Sequence, residues 1–537
     1  MVVLLCLVAA GLVVRARGLL NDPMSDEIAM IRMALGIFKR GVPFIRCGSF
    51  TEYAATYELL TYPLALSMLF LGQTVVAVRM PALLFGGCAI ALIGWVGYRM
   101  MGWRVGLVSA AIFAFLPTTV SWARDGYYPS EESVITLAAF WFFYETIRDR
   151  ELNYRFLRYA SAGAVISYLT WEGSAFLIPS LFFAIVVVRW GDFRWMVDAH
   201  VWRCFIVVSL MVGLELSYRK LVLLPDYLGA VRDLTEVSGP MLIFLDRILF
   251  DPLYYLRAFF FIDNQVLLSV LVILGIVFAR KVRPLLYLFV VLGALEIFYT
   301  CFLANYSLRY CYYWTAPLIL AGVGTFFHLC DKVSSLKVGP TISVIRTAAL
   351  CGAGAILVLS ANPLVMEAYR LSWQPEQPPY FTRLGVTYKP DFLSADRYVA
   401  QHLAPGDVVV VTAPHVFLFD TKRLPDYWND TVLLNRVTYD GGRKVPDYID
   451  KWVGVPTIRT LDDLKRVRAE HGRVWWIQLN MELNAPDVIT YLKMKGRIVH
   501  EGFDATVVRL DGAGPPAVPP ALVGGRWPTR SATLASN

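Results

Sequence analysis

The stretch Val75-Val-Ala-Val-Arg-Met-Pro-Ala-Leu-Leu-Phe-Gly-Gly-Cys-Ala-Ile-Ala-Leu-Ile-Gly-Trp-Val-Gly-Tyr98 decides the fold. It holds one charge, Arg79, in an otherwise apolar run. A helix needs about 20 such residues to cross the hydrocarbon core of a bilayer. Read outward with a window of about 19 residues, further apolar runs fall near 1–20, 104–118, 131–147, 157–171, 174–190, 201–222, 264–279, 284–303, 311–329 and 343–360. The pattern predicts a multi-pass α-helical membrane protein of about 11 transmembrane helices, with a transmembrane domain over 1–360. The first run is charge-free only up to Arg15; it reads as an anchor, since it lacks the basic start and small-residue cleavage site of a signal peptide.

Composition agrees. Hydrophobic residues make up 57% of the 537 and charged ones 17%, against roughly 25% charged in soluble domains. The net charge of +8 sits in short loops, without a basic stripe interleaved with aromatics, and nucleic acid is set aside as a partner. The eight cysteines form no CxxC, so zinc and redox-motif spacings are missing.

Basic residues orient the spans. With the N-terminus in the cytoplasm, the inner loops hold Arg99 and Arg104, Arg148 to Arg158, Arg189 to Arg203, Arg280 to Arg283, and Lys332 to Arg346. The short outer loops hold Arg124 and Arg309. This is the positive-inside asymmetry. It places 21–74, 119–130, 223–263 and the chain after about 361 outside a cell (inner) membrane.

The C-terminal part has a different pattern. A helix over Ala395–Leu403 precedes the strand Asp407–Thr412; a helix over Thr460–Glu470 precedes the strand Arg473–Gln478; a third helix covers Pro486–Lys495. Alternating helices and strands predict a small α/β extracytoplasmic domain over 361–511. Residues 512–537, rich in Gly, Pro, Ala and Ser, read as a disordered tail. The sequons at Asn305 and Asn429 carry meaning only in a eukaryotic host.

The first outer loop contains Ser25-Asp-Glu-Ile-Ala-Met30, a helix start that Gly41 is placed to end. Met30, Met33, Ala34 and Ile37 form one face, suited to the interface plane. Asp26 and Glu27, just outside the first span, have two readings. They are first-turn acids complementing the helix dipole, or general-base carboxylates for an acceptor attacking an anomeric carbon. A lipid-phosphate leaving group needs cations, and Arg15, Arg17, Arg124 and Arg309 fall at the same outer level.

The second outer loop, Ser121-Trp-Ala-Arg-Asp-Gly-Tyr-Tyr-Pro-Ser-Glu-Glu132, offers Asp125 and Tyr127 toward an acceptor, while Ser130, Glu131 and Glu132 read as a helix cap. A divalent metal fits such acids but is not required, and no cofactor is assigned. Glu172, at the turn between the fifth and sixth spans, is a further acid at membrane level. Arg309 enters an aromatic-rich helix with Tyr310, as a phosphate ligand or as an interfacial anchor.

The segments SDEIAM, YELLTYPLALSMLFLG, VRMPALLFGG, SWARDGYYPSEES and LRYCYYWTAPLILAG, in this order against the spans, resemble the GT-C superfamily of polyprenyl-phosphate-dependent glycosyltransferases over roughly residues 1–330. The bacterial group similar to dolichyl-phosphate-mannose-protein mannosyltransferases carries the likeness. It implies Asp26 as catalytic base or acceptor-orienting group with Glu27 beside it, Arg309 and Tyr310 with Arg124 and Arg17 at the donor phosphate, and Asp125, Tyr127 and Glu172 in the acceptor half of the site. It implies transfer of one sugar from a polyprenyl-phosphate carrier to a lipid, glycan or protein acceptor, with inversion. Two departures stand out. Many members have a lysine where this chain reads YLTWEGSAF, and the WWDYG-type motif of the oligosaccharyltransferase subunit is missing. A lipid-linked-saccharide flippase and a non-catalytic membrane scaffold are the rival readings. A flippase would place charges near the midplane of broken helices, whereas here they cluster at the outer edge.

Overall fold

The computed structural model describes residues 2–17, 19, 25–47, 50–53, 58–218, 253–257, 266–302, 308–334, 352, 354, 379–382, 385–388, 391–429, 439–440, 443–444, 453–479, 485–502 and 505–512. The chain divides into two compact units, residues 1–389 with 439–444, and residues 390–438 with 445–537.

The first unit is helical. Its helices are α1 Val2–Ala16, α2 Ser25–Arg40, α3 Glu58–Leu71, α4 Val75–Met101, α5 Trp103–Phe115, α6 Pro117–Trp122, α7 Pro129–Ile147, α8 Tyr154–Thr170, α9 Leu177–Val188, α10 Ala199–Tyr218, α11 Val266–Ala279, α12 Arg283–Phe302 and α13 Thr315–Ser334. Single 3₁₀ segments at Glu172–Phe176 and Leu308–Trp314 lead into α9 and α13. Val75–Met101, Ala199–Tyr218, Arg283–Cys301 and Tyr310–Lys332 are long and apolar enough to cross a membrane; Val2–Ala16, Leu59–Leu71, Trp103–Phe115, Gly173–Val188 and Val266–Ala279 are shorter apolar helices. The protein is a multi-pass membrane protein. The expected span 343–360 and the expected tail 512–537 lie outside the described residues, apart from Gly352, Gly354 and Gly512.

Helix α4 runs along the centre of this unit, packed by α1, α3, α5 and α7. Thr74 caps it by accepting from the Ala77 N–H at 3.2 Å. Its two ends differ in chemistry. At the C-terminal end, Arg99 and Arg148 both reach Glu145, at 3.4 and 2.8 Å. Arg283 donates to the Arg148 carbonyl at 2.9 Å, and Arg189 to the Arg150 carbonyl at 2.6 Å. The basic residues of several short loops therefore gather at one end of the bundle. The N-terminal end of α4 carries the acids and arginines described below.

One local expectation changes. The apolar face of α2 is buried against protein: Met30, Met33 and Ala34 are at most 4% exposed, and the helix packs on α3 and on the hairpin formed by Phe44–Cys47 and Phe50–Tyr53. It therefore does not lie bare in the interface plane. The cause is α3, an apolar helix in the segment between α2 and α4. At 14 residues it spans about 21 Å, too short to have stood out as a membrane run. Gly41 ends α2 with φ +74°, its N–H bonded to the Ile37 carbonyl at 2.8 Å, as a left-handed C-terminal residue does.

The second unit is an α/β sandwich. Strands β1 Val408–Val411, β2 Tyr427–Asn429, β3 Thr457–Ile458, β4 Arg473–Leu479, β5 Arg497–Gly502 and β6 Ala505–Asp511 form one sheet in the order β5-β6-β4-β1-β2-β3. β4, β1, β2 and β3 run parallel, and β6 pairs antiparallel with β4 and β5. Helices α16 Leu461–Glu470 and α17 Pro486–Lys495 bury Leu464, Val467, Val488 and Leu492 against Val408, Val410 and Trp476. Helices α14 Phe392–His402 and α15 Pro414–Thr421 cover the other face, with Ala395, Val399 and Phe417 on Val409, Val411, Trp475 and Ile477. Alternation along β1 and β4 sends successive side chains to opposite layers. Both layers are apolar, so Val408–Val411 is a continuous hydrophobic run.

Candidate functional site at the α2–α4 end of the first unit

Helix α2 begins at Ser25, which puts Asp26 and Glu27 in its first turn. Glu27 is 1% exposed. Its two carboxylate oxygens accept from Nε and Nη2 of Arg79 at 2.7 and 2.8 Å, and Oε1 also accepts the Gly126 N–H at 2.8 Å. Arg79 is wholly buried, and its Nη1 donates to the Leu19 carbonyl at 3.2 Å. A buried charge survives only when paired and hydrogen-bonded, and the two-pronged guanidinium–carboxylate geometry is the strongest such pairing. Glu27 thereby joins the start of α2, the first turns of α4 and the loop between α6 and α7. Gly126 is required there: a Cβ would stand 2.3 Å from Val78 Cγ1 and 3.0 Å from the Val78 carbonyl oxygen.

Two arginines near this clamp act as helix caps. Arg124, 5% exposed, donates from Nε to the Arg15 carbonyl at 3.2 Å and from Nη2 to the Val14 carbonyl at 2.5 Å. Arg15 donates to the carbonyls of Ala114 at 2.6 Å and Phe113 at 3.0 Å. Carbonyls at a helix C-terminus have no partner within the helix and carry the negative end of its dipole. Burial, then the neighbouring Arg15 charge, pushes the Arg124 guanidinium down to about 10, with Asp125 opposing. Asp125 is 2% exposed and Tyr127 4%; the Tyr127 ring lies 4.6 Å from that of Tyr128. Arg17 is exposed, one turn beyond the Arg124 cap.

Aromatic stacking draws in the other two loops. The Trp171 indole is sandwiched between Tyr128, at 4.9 Å and 17°, and Tyr310, at 5.3 Å and 14°. The stack joins the loop between α6 and α7, the turn after α8 and the 3₁₀ segment before α13. It carries the backbone of Glu172 and of Arg309 with it, each adjacent to a stacked ring. The side chains of Asp26, Glu172 and Arg309 lie outside the described residues.

Beside the stack, α7 starts at Pro129 with no side-chain cap. Glu131 and Glu132 turn inward instead, 4% and 0% exposed. Glu132 Oε1 accepts from Thr136 and Ser167, both at 2.6 Å. Tyr299 donates to the Gly173 carbonyl at 2.9 Å, with Tyr313 a further 2.9 Å away. Among the described residues, no group of three or more His, Cys, Asp or Glu is arranged to hold a metal.

Arg79 and Trp171 are site-forming residues that do not stand among those singled out by the sequence. Arg79 had a readable signal, a lone charge inside an apolar run, which is costly unless partnered. Trp171 had none, because an aromatic at a span end also reads as an interfacial anchor.

No family model matches the sequence, and no curated protein matches it. The chain shares its fold with solved structures of other proteins. Similar solved structures include ArnT from Cupriavidus metallidurans, apo and bound to undecaprenyl phosphate, each with a TM-score of 0.53, 14% identity, and coverage of 94% of this chain and 97% of that one. The archaeal oligosaccharyltransferase AglB from Archaeoglobus fulgidus, in complex with an inhibitory peptide and a dolichol-phosphate, aligns with a TM-score of 0.53, 12% identity, and coverage of 92% of this chain and 72% of that one.

Proposed function

We propose that this chain is a glycosyltransferase that moves a single sugar from a polyprenyl-phosphate carrier to an acceptor on the outer side of the cell membrane. The observation that carries the reading is the Glu27–Arg79–Gly126 clamp. It fixes the acidic start of α2 against the second outer loop, next to Asp125 and to the stack that leads to Arg309. Both Glu27 oxygens are bonded within the protein, so Glu27 serves as the positioning residue and Asp26 as the base.

In this mechanism the acceptor hydroxyl or amine attacks the anomeric carbon while the bond from that carbon to the phosphate oxygen breaks. Asp26 takes the acceptor proton. The polyprenyl phosphate leaves with the bonding electrons, its charge stabilised by Arg309, with Arg17 at the exposed rim. One displacement inverts the anomeric configuration. Arg124 and Arg15 hold the helix ends that shape the site, and Asp125, Tyr127 and Glu172 are assigned to its acceptor half. ArnT binds undecaprenyl phosphate and AglB is found with dolichol-phosphate, which supports a polyprenyl phosphate as carrier here. The positive-inside loops support placing this end, and the second unit, outside the cytoplasm.

The test is to incubate the full chain in sealed proteoliposomes with a panel of radiolabelled polyprenyl-monophosphate sugars and membrane-envelope acceptors. Label passing to an acceptor with inverted anomeric configuration supports transfer. Label that stays on a carrier moved across the bilayer supports the flippase reading instead.

A further inference from the structure

The parallel part of the second unit's sheet has a reversal of strand order. The chain passes from β1 outward through β2 to β3, then returns to place β4 on the other side of β1. In open α/β sheets the crevice at the carboxyl ends of the strands flanking such a reversal is where ligands bind. β1 and β4 flank it here. Ile477 pairs with Val411, and Val411 with Trp428. One residue further on, Gln478, Thr412 and Asn429 form a row across three parallel strands, on the layer of Val410 and Trp476.

This row holds two buried polar atoms without hydrogen-bond partners, Gln478 Nε2 and Asn429 Oδ1, in residues 1% and 6% exposed. Their orientations are fixed by the other half of each amide. Gln478 Oε1 accepts from Trp476 Nε1 at 3.0 Å, so Nε2 is the donor left over. Asn429 Nδ2 donates to the Ile477 carbonyl at 3.2 Å, so Oδ1 is the acceptor left over. That bond carries the Asn429 amide across the end of β1 to the peptide preceding Gln478. The half-buried Trp428 indole donates to the Thr412 carbonyl at 3.1 Å at the same edge. Orphaned buried groups cost folding free energy, and two of opposite sense at a strand-order reversal are the unfilled half of a recognition pair.

We propose that this edge binds a neutral saccharide through hydroxyls that accept from Gln478 Nε2 and donate to Asn429 Oδ1. A sugar hydroxyl serves as donor or as acceptor. The row contains no ionisable side chain, which favours an uncharged ligand, and the Trp428 indole offers an amphipathic rim to a sugar ring. The inference stands on the second unit alone and does not require the transfer reaction.

The experiment is saturation-transfer NMR on the full chain in lipid nanodiscs free of sugar-headed detergent. The probes are glucose, mannose, galactose, arabinose and N-acetylglucosamine, with glycerol as the acyclic polyol and inorganic phosphate as the anion. Two substitutions leave the partners of each amide satisfied. Asn429→Leu leaves the Ile477 carbonyl with both Thr412 donors, and Gln478→Glu keeps the acceptor for Trp476. At least one sugar should bind saturably, and either folded variant should bind it about tenfold more weakly or worse, the cost of one lost hydrogen bond to a buried site. A readout that needs no variant is hydrogen exchange over 408–412 and 473–479, which the bound sugar should slow. Binding by glycerol or phosphate alone, sugar binding unchanged in both variants, or exchange unaffected by every sugar would overturn the proposal.

Discussion

The Arg79 guanidinium clasps both oxygens of the Glu27 carboxylate, at 2.7 and 2.8 Å, with neither side chain more than 1% exposed. Removing one member of such a pair strands a buried charge and costs about 3–5 kcal/mol, whereas replacing both with apolar residues of like volume is close to neutral. Arg79→Met alone should therefore lower the melting midpoint sharply. The double variant Arg79→Met/Glu27→Leu should regain most of it while transfer stays low, because the start of α2 is no longer tied to Gly126. Melting and transfer recovering together would assign the pair no positioning role.

Gly126→Ala inserts a methyl against Val78. Overpacking of this kind costs about 1–3 kcal/mol. Val78→Ala in the same chain should recover part of the loss, since one of the two close contacts is the Val78 side chain and the other its backbone oxygen. Thermal melting of the single and double variants measures the coupling directly.

A pH dependence is built into the second unit. Burial raises the Asp426 carboxyl above its usual range, against the opposing hydrogen bond from the Val409 N–H at 2.8 Å. A raised carboxyl is penalised when ionised. The penalty is absent below the unfolded value of about 3.9 and complete once the pH has risen past the folded value. Asp426→Asn retains an acceptor for Val409. It should raise the unfolding midpoint of this unit at pH 7 and give no gain at pH 3. An equal gain at both would assign the effect to something other than ionisation.

Sidedness can be checked by cysteine labelling in a background with the eight native cysteines replaced. Lys465→Cys, half exposed on α16, should react with a membrane-impermeant maleimide on intact cells. Arg150→Cys, between α7 and α8, should react only after permeabilisation. The reverse pattern would invert the topology and remove the outer-face site.

The regular parts of the fold were legible because their signals are local. Val75–Met101 announces itself by apolar length. Thr460 begins α16 with a capping box completed by Asp463, and Pro486–Lys495 was bounded by its own proline and glycine. What was hidden depends on partners far apart in sequence. Ser130, Glu131 and Glu132 have the composition of a helix cap, and only the approach of Ser167 shows Glu132 turned inward. Arg15 and Arg124 looked like phosphate ligands because charge at the membrane surface is generic. The carbonyls of Ala114 and Val14 that they cap cannot be read from one sequence. Asp26 and Glu27 are neighbours of the same chemistry, and only the position of Arg79 distinguishes them.

The most direct measurement is sugar transfer from the polyprenyl-phosphate donor by wild type and Asp26→Asn at matched expression and melting midpoint. The account predicts transfer by the wild type and a loss of about a hundredfold or more in the variant, the scale on which a positioned general base contributes. Equal transfer by both would contradict it and remove Asp26 from the mechanism.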